Sequence, residues 1–380
     1  MARQDFQLTN EPGAAFADLP TPTLVRVPLS GCTPCVELDA LIPAGSPVGE
    51  PLSPLGAWVH TPISGKVVEI DAHQVSIQAE GKQCVEPLDT NVLNGPGLEA
   101  TLARHGVDVS RLTPARLLIV NASPPEPGPG CTNRLLSDFR DTLARGLNLA
   151  RTLVAPTNVT VCGPDVDASA FGNCDVKRIK PSYPFNLEPL LIKAVTGHEH
   201  SSGVTVVDLF QLMGLGRIQE TGLPVTESYL CVQGQNYRAL VGTPLHNLLE
   251  AAGTTPVKRD RVILGGPMRG EALCDLSLGL GKNDYGLFVI PEGEHPPVKD
   301  APCINCGACV AVCPARIAPG ELSMCAEKGL WARAREGGVE ACFECGLCGY
   351  HCPTRRPLLQ YLRLAKNELA QLDAAAQGAE

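Results

Sequence analysis

The 380-residue sequence predicts a multidomain α+β protein, long enough for two or three buried cores. Three observations carry that expectation. Short β-branched runs punctuated by Gly, Pro and Ser fill residues 22–82. Strands and helices alternate between 97 and 195. Helices and a doubled cysteine motif occupy residues 298–366.

Composition narrows the class further. Hydrophobic residues make up 44%, aromatics only 4%, and there are 38 glycines and 34 prolines. That mix implies many turns and short elements around ordinary cores rather than disorder. The net charge of −9, with no basic face, argues against nucleic acid as a partner. No apolar run reaches the length of a membrane-spanning helix. Residues Met1 to Phe6 begin no apolar segment of the secretory type.

Taken in order, Val25–Pro28, Val59–Thr61, Gly65–Ile70 and Val75–Ala79 read as strands. The run His60-Thr-Pro-Ile-Ser-Gly-Lys-Val reads as a hairpin turning at Ser64-Gly65. Lys66 lacks the neighbours of a modified lysine, so this region is expected to act as a docking or scaffold module. Residues 97–110 form a short helix, Arg116–Val120 a buried strand ending at Asn121, and Asn133–Val154 a long amphipathic helix. Asn158–Cys162 is a further strand, and Leu187–Val195 a helix ended by Gly197. Strand–helix–strand order implies a parallel sheet. Ser228–Gln233 and Ala239–Val241 are strands of a smaller module, with a helix from Thr243 to Ala252 started by Pro244. Val262–Met268 is a strand ending in a glycine turn, with Met268 expected to fill a core gap.

The chemistry lies in the last ninety residues. Cys303, Cys306, Cys309 and Cys313, followed by Pro314, spell C-x2-C-x2-C-x3-C-P. Cys342, Cys345, Cys348 and Cys352, followed by Pro353, repeat it. This is the ligand run of a bacterial [4Fe–4S] site, and two copies read as a pair of clusters for one-electron transfer. One tight reversal of the chain supplies three thiolates, and the fourth cysteine lies beyond its reach. In two-cluster ferredoxins that fourth cysteine ligates the other cluster. The expected ligand sets are therefore Cys303, Cys306, Cys309 and Cys352 for one cluster, and Cys342, Cys345, Cys348 and Cys313 for the other. Gly307 and Gly346 are expected to let backbone amides approach sulfur where a Cβ would intrude. Zinc is the alternative, since C-x2-C pairs also bind it, though a triplet plus one is not its usual pattern. Pro319 to Arg335 reads as a helix between the motifs, Pro357–Leu372 as a second, and Gln377–Glu380 as a frayed tail. Phe343, Tyr350 and His351 flank ligands and are candidates to shield the second cluster from water.

Nine further cysteines are scattered, and most read as reduced thiols of a reducing cytoplasm. Cys32 and Cys35 form one more C-x2-C, read as a loop with two buried thiols; a redox pair or half a metal site are the alternatives.

Four features in this order resemble the C-subunit family of the Rnf ion-translocating electron-transport complex. They are Pro62-Ile-Ser-Gly-Lys-Val67, Ile119-Val-Asn-Ala122, Val262-Ile-Leu-Gly-Gly-Pro-Met268 and the doubled cluster motif followed by Pro357-Leu-Leu-Gln-Tyr361. The resemblance implies a barrel-sandwich hybrid β domain over 1–90 and an α/β flavin-domain-like core over 91–222, like the NADH-oxidising subunit of respiratory complex I. It further implies a small β-grasp module over 223–290 and a helical two-[4Fe–4S] ferredoxin-like domain over 291–380. The cobalamin reductase of propanediol microcompartments is similar in the same order.

The sequence departs from that family where its members carry a glycine-rich loop for flavin phosphate and nicotinamide. Here residues 104–115 hold a single glycine. The acidic segment becomes Asn121-Ala-Ser-Pro-Pro-Glu-Pro127, and a Gly-Gly-Glu becomes Phe185-Asn-Leu-Glu188. FMN and NADH are accordingly not expected as cofactors, and Glu126 and Glu188 read as solvated loop carboxylates. The resemblance implies an electron-relay subunit, peripheral on the cytoplasmic face of the inner membrane. Its implied partners are the other subunits of a membrane electron-transport complex and a soluble ferredoxin or similar redox protein. An FMN-dependent NADH dehydrogenase and a scaffold with one structural cluster are the competing expectations.

Overall fold

The computed structural model describes residues 6–8, 13–164, 166, 171–172, 174–295, 297–299 and 301–377. The expected frayed end therefore lies outside the described residues from 378 onward. The fold is mixed α+β with several sheets. The chain separates into two compact units, one of residues 1–266 and 271–289, the other of 267–270 and 290–380.

The first unit opens with two small sheets around one core. Leu24–Pro28, Gln74–Ala79, Gly65–Ile70 and Leu41–Ile42 lie side by side in that order, with antiparallel pairings. Cys32–Pro34, Pro47–Pro51 and Val59–His60 form the other. Period-two alternation puts Val25, Val27, Val67, Val75 and Ile77 inward, against Val48 and Val59 of the second sheet. The expected hairpin at Ser64-Gly65 is therefore not one, because its two arms pair in different sheets. Buried Thr61 bends the crossing, its hydroxyl donating to the Ile63 carbonyl at 2.8 Å. Lys66 pairs with Asp39 at 2.7 Å.

The middle of the chain forms the expected parallel sheet, in the order Asp175–Arg178, Asn158–Gly163, Leu117–Asn121, Val204–Asp208. Leu118, Ile119 and Val120 are all fully buried, as a strand covered on both faces must be. Leu118 and Val120 face the helices Arg140–Val154 and Leu209–Thr221, and Ile119 faces Leu191 and Ile192 of Glu188–Thr196. The long helix expected over 133–154 is two helices, Cys131–Asp138 and Arg140–Val154. Phe139 breaks them, with φ −122° and ψ 35°, as its ring sits edge-on to Phe16 and Tyr229 at 5.9 and 5.2 Å.

A six-stranded mixed sheet completes this unit. The expected strands appear as Glu227–Val232 and Gln235–Leu240, with Leu245–Ala251 as their helix. Ala17–Asp18 adds to one edge, and Gly286–Ile290 inserts beside Glu227–Val232. Neither addition was apparent from sequence.

The second unit is helical. Leu358–Gln377 presents Leu358, Leu362, Ala365 and Leu369 to a core shared with Leu322, Ala326 and Ala334. The helix expected between the motifs is two, Pro319–Glu327 and Trp331–Glu336, because Gly329 turns left-handed at φ 64° between them.

Candidate iron–sulfur centres

The two motifs repeat one backbone shape. Asn305 and Glu344 have φ of 53° and 54°, Gly307 and Gly346 74° and 75°, Arg316 and Arg355 59° and 58°. Three left-handed residues at equivalent places curl each motif tightly. Each glycine caps a short helix, Ala308–Val312 or Leu347–Tyr350, that carries the third and fourth cysteines toward their positions.

The cysteines meet in crossed sets. Cys303, Cys306, Cys309 and Cys352 line one cavity, together with Asn305, Gly320 and Arg356. Cys342, Cys345, Cys348 and Cys313 line another, smaller one, walled by Phe343, Ile317, Leu359 and Leu362. The first is open to solvent, with Cys306 exposed and Ile304 61% exposed at its mouth. The second is enclosed, with Cys345 and Cys348 buried. Of the aromatic candidates for shielding, only Phe343 lines the cavity. Tyr350 is exposed and stacks edge-on against His351 at 5.3 Å.

Each quartet surrounds a space instead of meeting at a point. Among the described residues, no group of three or more His, Cys, Asp or Glu converges to hold a single metal ion. Zinc needs its four ligands around one atom, whereas a cluster spreads its thiolates over the corners of a core. An all-cysteine donor set around such a space fits the cluster.

Backbone amides serve the sulfurs. The amide of Asn305 donates to Cys303 Sγ at 3.5 Å, and that of Glu344 to Cys342 Sγ at 3.4 Å. Cys352 differs from the other ligands. Burial works to raise its thiol, but the Thr354 hydroxyl and the amides of residues 354–356 outweigh it and hold it below the ordinary value. Burial, with Cys342 and Cys313 nearby, pushes Cys345 up to about 11, and burial likewise raises Cys348.

The reason expected for the motif glycines needs correction. A Cβ on Gly307 would meet nothing within 4 Å. One on Gly346 would lie less than 3.0 Å from the Met268 carbonyl oxygen, not from a sulfur. Met268 does not fill a core gap but is half-buried in the turn 267–270, which packs its backbone against the second motif. Arg363 ties that turn down, donating to the Arg269 carbonyl at 2.9 Å and to Glu344 at 3.1 Å, and Lys366 also pairs with Glu344.

Three other expectations change. Glu126 is not solvated but fully buried, accepting from the Tyr285 hydroxyl at 2.7 Å and filling the space a side chain at Gly266 would need. Glu188 starts a helix and pairs with Arg111 at 2.5 Å. Cys32 lies on a strand, half-buried, and Cys35 is exposed, so they are not two buried loop thiols. Sequence reasoning missed Arg356, Thr354 and the 267–270 turn, since nothing in the ligand spacing announces them.

Two cysteine-walled cavities in one small helical unit define an iron–sulfur electron-transfer protein. The comparisons with known proteins carry this further. The C subunit of the ion-translocating oxidoreductase complex of Rhodobacter capsulatus is 26% identical over 428 residues, 93% of this chain and 79% of its own. The C subunit of the Na(+)-translocating ferredoxin:NAD(+) oxidoreductase complex of Acetobacterium woodii is 26% identical, over 92% of this chain and 91% of its own. The corresponding protein of Edwardsiella ictaluri is 31% identical, but the match spans 69% of this chain and only 36% of that longer protein. Along most of its length the chain is thus similar to the C subunits of ion-translocating oxidoreductase complexes, which supports an Rnf-C-like protein. No family model matches it. An NAD+-reducing [NiFe]-hydrogenase has a loosely similar structure, with TM-score 0.43 and 15% identity over 66% of this chain and 57% of its own, too distant to build on.

Proposed function

We propose that this chain is the electron-transfer subunit of a membrane-associated, Rnf-like ion-translocating oxidoreductase, relaying electrons through two [4Fe–4S] clusters. Cys303, Cys306, Cys309 and Cys352 hold one, and Cys342, Cys345, Cys348 and Cys313 the other. Each cluster supplies one-electron transfer. The crossed cysteine quartets around two separate cavities carry this reading.

The N-terminal pair of sheets is then the barrel-sandwich hybrid module, the parallel sheet a flavin-domain-like core, and the six-stranded sheet the β-grasp module. The core binds neither FMN nor NADH. Its glycine-poor segment 104–115 offers no amide cradle for phosphate. Buried Glu126 is held by Tyr285 and packed against Gly266. Among the described residues no helix is long and apolar enough to cross a membrane, so the protein attaches peripherally, on the cytoplasmic face, to the other subunits of its complex. A soluble ferredoxin or similar carrier, as in the name of the Acetobacterium relative, is its outside redox partner.

The test is anaerobic purification followed by iron, sulfide and flavin assays, then addition of NADH. About eight irons, no flavin and no bleaching by NADH support the relay. Stoichiometric FMN with NADH-driven reduction refutes the cofactor assignment, and zinc or a single cluster refutes the two-cluster relay.

A further inference from the structure

The two cavities differ in charge as well as exposure. The enclosed one has no charged side chain in its lining, while behind it Lys366 donates to the Cys342 carbonyl and, with Arg363, pairs with Glu344. The open one is lined by Arg356 and by the carboxylate-bearing Glu321 at its exposed edge. Arg356 is 2% exposed. Four residues pin it. Its Nε donates to Ser323 Oγ at 2.9 Å, its Nη1 to the Ala301 carbonyl at 3.0 Å, and its Nη2 pairs with Glu327 Oε2 at 2.5 Å. The guanidinium also stacks on Tyr361, at 4.6 Å from the ring centre.

A guanidinium keeps its charge and holds a fixed orientation when its fork is fully bonded. Water does not screen a charge this buried as it would one at the surface. Its counter-ion Glu327 is 43% exposed, so solvent weakens the neutralising field more than the cationic one. The amides after Cys352 and the Thr354 hydroxyl, 3.3 Å from its sulfur, add donors on the same side of the cavity. Net charge, hydrogen bonds to sulfur and exposure are the levers that set a cluster's potential; here the hydrogen bonds to Cys352 and the exposure of the open cavity raise it, and Arg356 adds a buried cation to a lining that also holds Glu321.

We infer that Arg356 is a positioning residue that raises the reduction potential of the cluster held by Cys303, Cys306, Cys309 and Cys352. This rests on the two-cluster reading above.

The test is an anaerobic, dithionite-mediated redox titration followed by EPR, on the full chain loaded with both clusters. In the Arg356→Gln protein one cluster's reduction equilibrium falls about tenfold, a shift of about 59 mV for one electron, and the other moves less than about twofold. Glu327→Gln removes the counter-charge and moves that same cluster upward. Opposite signs from the two substitutions are what a merely structural role cannot produce. Glu327→Gln alone decides the matter should Arg356→Gln fail to fold, since its side chain is partly in solvent. The inference is overturned if neither substitution moves a midpoint, if both clusters move equally, or if the two substitutions move it the same way. Wild-type protein holding fewer than two clusters would instead refute the function proposed above, and iron counting before titration separates the two failures.

Discussion

Gly307 and Gly346 offer a matched experiment, because they share a motif position and a φ within a degree of each other, 74° and 75°. Replacing either by alanine forces a Cβ into the left-handed region, at about 1–2 kcal/mol. At Gly307 that is the whole cost, since the new methyl meets nothing within 4 Å. At Gly346 the methyl arrives less than 3.0 Å from the Met268 carbonyl oxygen, with the carbonyl carbon at 3.0 Å. A backbone carbonyl cannot rotate aside as a side chain would, so the 267–270 turn must move. Overpacking of this kind costs about 1–3 kcal/mol more. Movement also breaks the Arg363 bond to the Arg269 carbonyl, worth about 1 kcal/mol. Gly307→Ala should therefore lose about 1–2 kcal/mol and Gly346→Ala roughly 3–6 kcal/mol by these same terms. The assay is anaerobic urea unfolding of loaded protein, followed by cluster absorbance, with iron counted beforehand. Gly307→Ala should load both clusters. Gly346→Ala should unfold at least about 1 M urea earlier or lose the cluster of its own motif. Equal effects, or a worse Gly307→Ala, would refute the reasoning.

Three further outcomes follow from the geometry. Cys352→Ala should abolish the cluster of the first triplet and spare the second, and Cys313→Ala the converse, as separate EPR signals will report; loss of the cluster in the mutated motif's own triplet would break the crossed assignment. His60 is 3% exposed, and burial, then Lys282 and His105, hold its pKa down at about 3. The unfolded chain binds a proton there below about 6.5 that the folded chain refuses until about 3, so stability drains away as pH falls through that window. The urea midpoint of the full chain should show this as a slope of about 1.4 kcal/mol per pH unit that His60→Gln abolishes, and identical slopes would exclude it. A Cβ on Gly146 would lie less than 3.0 Å from the Leu212 carbonyl oxygen of the neighbouring helix, so Gly146→Ala should cost about 1–3 kcal/mol in the same assay; a neutral effect would mean the two helices are not packed backbone to backbone.

Much of this molecule is legible from its residues in order. Cysteine spacing is local geometry: one turn of chain gathers three thiols and no more, so three cysteines of one motif beside the fourth of the other were expected from the two-cluster pattern, and the two cavities are lined that way. The parallel sheet followed from strand–helix–strand order and from runs such as Leu118-Ile-Val120 that only a doubly covered strand can bury. Periodicity placed the Leu358–Gln377 stripe correctly for the same reason.

What remained hidden was decided by contacts between residues far apart in the chain. Phe139 breaks a helix whose own residues favour continuing, because Phe16 and Tyr229 supply an aromatic site for its ring. Val59–His60 and Gly65–Ile70 separate into different sheets, since strand pairing depends on partners that a hairpin-like sequence does not name. The need for glycine at 346 comes from a carbonyl 78 positions earlier in the chain, at Met268. Glu126 looks solvated in its proline-rich loop until Tyr285 folds over it. The doubled cysteine pattern is written in short-range spacing, and so the sequence alone determined it. The surroundings of those cysteines, buried Arg356 among them, arise from long-range packing that only the folded chain brings together.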